Sequence, residues 1–221
     1  MGRALVIGAS GGIGRAIVAE LSGRGIEVVG LSRSVDGLDV TDEASVAGVL
    51  GSLDGVFDLI VCATGALEVE GAAPEKSLAQ LSAKAMADQF AVNCIGPALV
   101  LKHSLRLLPK EGRAVFAVLS ARVGSIGDNR LGGWHSYRAA KAALNQIMRG
   151  ASIEMARTHK GAICVALHPG TVVTEFTRKY LGRHPAVEPQ AAAVRLVDVL
   201  EALEPEHSGG FYDYAMKEIP W

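Results

Sequence analysis

Short apolar, β-branched runs alternate with longer stretches of helical periodicity along the whole chain. Strands are predicted at "RALVI" (3–7), "EVVGL" (27–31), "VFDLIVCA" (56–63), "RAVFAVLS" (113–120), "GAICVALHP" (161–169) and "GGFYDY" (209–214). Between them the periodicity predicts helices from Ile13 to Ser22, near 42–52, over 75–108 with a break near Gln89, over 134–158 and over 189–203. The strand runs are continuously apolar rather than alternating, which is expected when both faces of a sheet are covered. Strand–helix alternation of this kind predicts βαβ units and a single α/β domain, a doubly wound parallel sheet with helices on both faces. One crossover departs from that plan. Few residues separate "VGLSRS" from "LDVTD", so the usual helix there is expected to be trimmed to a loop.

The bulk properties narrow the possibilities. With 221 residues the chain can fill one core, and one domain is the default. A formal charge of −1 and the absence of a basic stripe argue against a nucleic-acid partner. No apolar run reaches the roughly 18–20 residues of a membrane span. The start "MGRALVIGAS" reads as a first strand rather than a signal peptide. The three cysteines, Cys62, Cys94 and Cys164, stand singly in apolar surroundings and fit reduced thiols in a cytoplasmic protein. The histidines have no metal-ligand spacing, so no metal site is expected.

The turn after the first strand, "GASGGIGRAI", carries Gly8, Gly12 and Gly14 as G-x-x-x-G-x-G. Glycines let a backbone turn sharply and approach a pyrophosphate, and a helix N-terminus offers it free N–H groups. The same residues, Gly8-Ala9-Ser10-Gly11-Gly12, also match the G-x-S-x-G of a hydrolase elbow. Such an elbow needs an earlier strand and loop for its oxyanion hole, and only seven residues precede this one. At the end of the second strand, where an NAD site places an acid, the chain has Ser32, Arg33 and Ser34. Arg33 suits a 2′-phosphate, so NADP(H) is favoured and NAD(H) stays possible. Farther on, "WHSYRAAKAALN" puts Tyr137 and Lys141 four apart on one helix face among alanines.

Taken in order, "GASGGIG" (8–14), "LDV" (38–40), "CATGA" (62–66), "VNCIG" (92–96), "LSARVGS" (119–125), "YRAAK" (137–141) and "HPGTVVTEF" (168–176) resemble the short-chain dehydrogenase/reductase family over essentially the whole chain. The insert "GSIGDN…GGW", the segment "FAVN" and the ending "EIPW" look like its C-factor-like and carbonyl-reductase-like branch. The resemblance implies a single-domain Rossmann-type dinucleotide-binding fold over 1–221 and an NADP(H)-dependent oxidoreductase that interconverts a small carbonyl compound and its alcohol. It implies catalytic roles for Tyr137 as acid–base, Lys141 as its tuning cation and ribose ligand, and Asn93 as part of a water relay. A nearby cation is expected to lower the tyrosine pKa.

For the cofactor it implies Gly8, Ser10, Gly11, Gly12, Ile13, Gly14, Ser32, Arg33, Asp39, Val40, Ala63, Thr64, Gly65, Tyr137, Lys141, Pro169, Gly170, Val172 and Thr174. Asp39 and Val40 would meet the adenine, while Thr41 suits a helix N-cap. Val172 and Thr174 would lie near the nicotinamide carboxamide, and His168 would be structural. "CATGA" departs from the family's usual "NNAG" and loses two side-chain amides, so its support must come from elsewhere. The family's serine pair reads Ser120-Ala121 here. Ser120 lies 17 residues before Tyr137 and Ser125 lies 12 before it, so Ser120 is taken first as the carbonyl-orienting residue and Ser125 second. A third possibility is that no serine acts. The loop 171–185 is the natural lid, and Trp134 and His135 are candidates for the substrate mouth. The helices at about 90–108 and 134–158 would form a homodimer or homotetramer interface, as in the family. The alternative reading is a non-enzymatic NADP(H)-binding signalling or sensor protein of the same fold.

Overall fold

The computed structural model describes residues 1–181 and 185–221. Six strands, β1 (Arg3–Ile7), β2 (Glu27–Leu31), β3 (Leu59–Cys62), β4 (Ala114–Leu119), β5 (Ala162–His168) and β6 (Phe211–Asp213), form one sheet in the order β2-β1-β3-β4-β5-β6. Every pairing is parallel. Among the described residues seven helices connect them: α1 (Gly12–Gly23), α2 (Arg33–Asp36), α3 (Glu43–Gly51), α4 (Ala83–Phe90), α5 (Gly96–Ser104), α6 (His135–Thr158) and α7 (Pro189–Ala202). The strand order reverses at β1, with β2 on one side and β3 on the other, and that crevice is where doubly wound sheets bind ligands.

Both sheet faces are covered, as the apolar strands require. Leu5 and Ile7 of β1 point into one core with Val46 and Leu50 of α3, Val100 of α5 and Leu144 and Met148 of α6. Ala4 and Val6 point into the other, with Ile17 and Leu21 of α1 and Leu196 and Leu200 of α7. Burying each such Leu or Ile side chain contributes about 1.5–3 kcal/mol. No helix among the described residues is long and apolar enough to cross a membrane.

The elements depart from the predicted ones at a few places. The trimmed crossover keeps one helical turn, α2, capped by Ser32 and ended by Gly37 in the left-handed region at φ 69°. The following "GLDV" adds no strand, because its N–H groups are spent locally. Leu38 donates to the Ser32 carbonyl, and Asp39 to the Gly37 carbonyl and the Ser45 hydroxyl. Asp42, not Thr41, caps α3 by accepting the Ala44 N–H at 3.0 Å. The helical stretch expected over 75–108 is broken just after Gln89, where a break was expected, but it also starts later than expected. Residues 75–81 hold only one tight turn, Ser82 caps α4, and a wide i→i+5 turn over Ala91–Ile95 separates α4 from α5. All three cysteines are buried and free.

Candidate active site

The glycine turn opens directly from β1. Gly8 sits at φ 89° and donates its N–H to the Leu31 carbonyl at 2.8 Å, which ties the turn to the end of β2. A Cβ on Gly14 would lie 2.1 Å from the Gly8 carbonyl oxygen, so only glycine lets α1 begin this close to the turn. Gly11 precedes α1 without a side-chain cap, and the first turn holds no acid. Among the described residues no side chain caps the leading N–H groups of α1, which lie at the positive end of the helix. An anionic phosphate fits that donor set. Ser10 and Gly11 are exposed beside it, and Ile13 is half-buried.

Ser32 spends its hydroxyl within α2, accepting from the Val35 N–H, and its own N–H goes to the Asp36 carboxylate at 2.7 Å. Arg33 stands exposed at the start of α2, and among the described residues no carboxylate pairs with it. Asp39 accepts from the hydroxyl of Thr41 at 2.7 Å and from its N–H at 2.9 Å, which together hold its carboxyl below the usual range, with Arg33 adding to the effect. Val40 is buried where a Cβ on Gly96 would touch it at 2.9 Å.

The end of β3 lies against the glycine turn. A Cβ on Gly8 would meet the Ala63 carbonyl carbon at 3.0 Å and the Thr64 nitrogen at 3.2 Å. The support that "CATGA" lacks in its own side chains comes from Asn93 in the wide turn between α4 and α5. Asn93 is fully buried; its Oδ1 accepts the Ala66 N–H at 3.0 Å and its Nδ2 donates to the Ala66 carbonyl at 2.8 Å and to Gln89 Oε1 at 2.7 Å. Gln89 Nε2 in turn donates to the Leu67 carbonyl at 2.8 Å. Gly65 packs against both members of the expected relay. The position of a Cβ there lies 3.0 Å from Asn93 Oδ1 and 3.5 Å from Lys141 Nζ.

Tyr137 and Lys141 project from the first turns of α6, and both are buried, at 6% and 2% exposure. The Lys141 ammonium donates to the Leu119 carbonyl at 2.9 Å and lies 5.9 Å from the centre of the Tyr137 ring. Burial pushes the Lys141 pKa down to about 8, with the thiols of Cys62 and Cys94 opposing it. Burial also pushes the Tyr137 hydroxyl above its ordinary value. The expectation that Lys141 would pull the tyrosine down is thus reversed in this arrangement, because loss of water outweighs a cation that makes no hydrogen bond to the hydroxyl.

Sequence reasoning missed Glu75, which holds the start of α6. Trp134 stands at φ 50°, and its N–H reaches the Glu75 carbonyl at 2.5 Å. The Glu75 carboxylate, 6% exposed, accepts from the Ser136 N–H at 3.2 Å and from the Ser136 hydroxyl. Burial opposes ionisation of Glu75, but these bonds prevail and hold its carboxyl below the usual range. Nothing in the local pattern around "APEKS" signals a cap for a helix 61 residues away.

The serines are occupied. Ser120 donates its hydroxyl proton to Asn145 Oδ1 at 2.6 Å, and Ser125 donates to the Pro220 carbonyl. Among the described residues, Asn145 Nδ2 and His168 Nδ1 are buried without a partner.

The loop after β5 lies across the glycine turn and Tyr137. Val172 is buried and bridged to Val187, and Gly170 at φ 81° packs on the Tyr214 ring beside Pro169. Thr174 meets Gly12, where a Cβ would come within 2.8 Å of its methyl group. Phe176 approaches the Tyr137 ring edge-on at 6.4 Å, Trp134 does so at 6.3 Å, and Tyr180 packs on Trp134 at 5.7 Å. Arg178 pairs with Glu175 at the surface, at 3.0 Å. The remainder of the expected lid includes Gly182, Arg183 and His184, which lie outside the described residues.

Comparison with known proteins agrees with this geometry. The family model described as enoyl-(acyl carrier protein) reductase, of the short-chain dehydrogenase type, matches residues 8–202. The 1-hydroxy-2-glutathionyl-2-methyl-3-butene dehydrogenase of Rhodococcus sp. is 32% identical over 96% of both chains. The C-signal protein of Myxococcus xanthus is 37% identical over 62% of this chain and 78% of its own. A short-chain dehydrogenase/reductase from Burkholderia multivorans with bound NADP superposes over 100% of this chain and 99% of its own, at a TM-score of 0.86 and 28% identity. The NADPH-bound carbonyl reductase from chicken fatty liver does so over 99% and 94%, at 0.84 and 25%. The chain is a member of the short-chain dehydrogenase/reductase family, an oxidoreductase by descent and by fold.

Proposed function

We propose that this protein is an NADP(H)-dependent reductase that converts a small carbonyl compound to its alcohol, or runs the reverse. One observation carries the reading: Gly8 packs on Ala63 and Thr64 while the next residue, Gly65, packs on Asn93 and Lys141. A phosphate-accepting turn and an acid–base pair thereby share one strand end. Bound NADPH would supply the hydride. Tyr137, kept protonated by burial, delivers the proton to the carbonyl oxygen, a step that contributes about 10²–10⁴ in rate. Lys141, with its pKa near 8, gains and loses a proton close to neutral pH and recharges the tyrosine. Asn93 stands beside it at the inner end of the proton path. With Ser120 and Ser125 donating to Asn145 and Pro220, polarisation of the carbonyl rests on Tyr137.

Arg33 and the lack of a free acid at the end of β2 support NADP(H) over NAD(H), as do the NADP and NADPH bound in the structural neighbours. Titrating the protein with NADPH and with NADH tests this. Tighter binding of NADPH, lost in Arg33→Ala, supports the assignment, and tighter binding of NADH refutes it. The reading further includes a cytoplasmic setting, suggested by three buried free thiols, and pairing of copies through α5 and α6.

A second reading, non-enzymatic signalling through bound NADP(H), is favoured by the likeness to the protein named C-signal. The two part on turnover, since a sensor binds the cofactor but reduces no aldehyde, ketone or quinone.

A further inference from the structure

One turn beyond Lys141, α6 carries Asn145 at 2% exposure. Its Oδ1 end is held by the Ser120 hydroxyl, and among the described residues its Nδ2 end is a donor left over. A buried amide donor is costly to leave unpaired, so this one is a place where a ligand acceptor gains. Asn145 lines a cavity of about 190 Å³ whose walls include neither the glycine turn nor Tyr137. Helix α6 forms one wall with Ala142, Asn145, Gln146 and Arg149, residues three and four apart and so on one stripe of the helix. The small Ala142 makes room, and the other three bring two amides and a guanidinium. Arg149 is exposed, and among the described residues no carboxylate lies within ion-pair distance of it. The helix wall is therefore rich in N–H donors and holds no acid.

The opposite wall, made by Gly124, Ile126 and Trp221, is apolar and held in place. The Ser125 hydroxyl bonds to the Pro220 carbonyl, the Gly127 N–H donates to the Trp221 main-chain oxygen at 2.8 Å, and the Trp221 ring stacks on Phe211 at 5.8 Å. Despite these ties Ile126 and Trp221 stay 76% and 41% exposed. Exposed apolar side chains facing unpaired donors suit a molecule with one anionic end and one apolar end. Arg149 also lines a second hollow, of about 380 Å³, which Glu206 and Glu218 help to line. Their charges disfavour a second negative group on the same molecule.

We propose that the cavity is a second small-molecule site and takes a small apolar monocarboxylate. Asn145 Nδ2 and the Arg149 guanidinium hold the carboxylate, and Ile126 and Trp221 receive the apolar body. A planar carboxylate matches the fork of a guanidinium, which favours it over a phosphate of the same charge. The site does not depend on the reaction assigned to Tyr137.

Benzoate is the probe, read by calorimetry and by the Asn145 side-chain amide and Trp221 indole N–H signals in NMR spectra of the whole protein. Saturable binding is expected, with both signals moving together and a Kd on the order of 1 mM or tighter. Asn145→Leu and Arg149→Gln should each weaken it at least about tenfold, with NADPH affinity unchanged. Arg149→Gln alters an exposed side chain, so the assignment stays open to refutation even where Asn145→Leu does not fold. Benzamide has the ring without the charge, inorganic phosphate the charge without the ring, and phthalate a second carboxylate. Each should bind at least about tenfold more weakly than benzoate. Absence of benzoate binding at tens of millimolar overturns the site, and undiminished binding by Arg149→Gln overturns the role of the guanidinium. Benzamide, phosphate or phthalate binding as tightly as benzoate overturns the ligand class.

Discussion

Glu75 and Ser136, 61 residues apart in the chain, meet at the first turn of the helix that carries Tyr137 and Lys141. The carboxylate accepts the Ser136 N–H that would otherwise be an orphan of the helix start, and it does so in a buried place where water cannot substitute. Glu75→Ala should cost about 1–2 kcal/mol, lowering Tm by about 2–8 °C. It should also lower kcat severalfold, because Tyr137 sits in the turn that frays. The pH dependence has a defined sign. The folded carboxyl lies below its unfolded value, so its contribution is complete above the ordinary glutamate range and is lost as pH falls through the lower folded value. Thermal melts of both proteins between pH 3 and pH 7 should converge at the acid end.

Lys141 is held at a cost to the fold. It releases its proton near pH 8 when folded and near its ordinary value when unfolded, so the unfolded chain binds more protons between those limits and stability rises with pH across them. Below pH 8 the cost is fully present. Lys141→Met should therefore raise stability at pH 7 by on the order of 1–3 kcal/mol, while reduction of any carbonyl substrate falls by at least about a hundredfold. Denaturant melts at pH 7 and pH 10 check this; the gain should shrink at the higher pH.

Gly14→Ala places a methyl group against the Gly8 carbonyl, which is backbone and cannot swing away. The expected outcome is a loss of about 1–3 kcal/mol in stability with loss of NADPH binding. Calorimetric titration reads the binding, and a folded variant that binds NADPH normally would refute the role of the turn.

Ser120→Ala removes a hydroxyl that donates to Asn145 rather than to a substrate. It should change kcat less than about tenfold, whereas loss of a true oxyanion donor costs about 10²–10³.

The sheet, the helices on its two faces and the glycine turn were legible because each depends on local pattern. Short apolar runs bounded by turn residues, as in "LIVC", read as buried strands, and "GASGGIG" after such a run reads as a tight turn into a helix. That Tyr137 and Lys141 share one helix face was legible from helical spacing. What was hidden depends on pairs distant in sequence. Glu75 reaches Ser136 and Glu68 reaches Tyr180 only after β3 and β4 have been laid side by side, and neither acid has a local signature. The late start of the helical stretch expected over 75–108 has a related cause: Glu75 spends its carbonyl and carboxylate on Trp134 and Ser136 at the start of α6. The direction of the Tyr137 shift was also hidden, since burial of the site by the loop after β5 is not written in the Tyr–Lys spacing.

The central claim is that Tyr137 delivers the proton in a nicotinamide-dependent reduction. Its most direct test is NADPH consumption by wild type and Tyr137→Phe over a panel of aldehydes, ketones and quinones, with NADPH affinity measured on the same samples. The account predicts turnover by wild type, a rate lower by at least about a hundredfold in the variant, and equal NADPH binding in both. A variant that consumes NADPH as fast as wild type would contradict it.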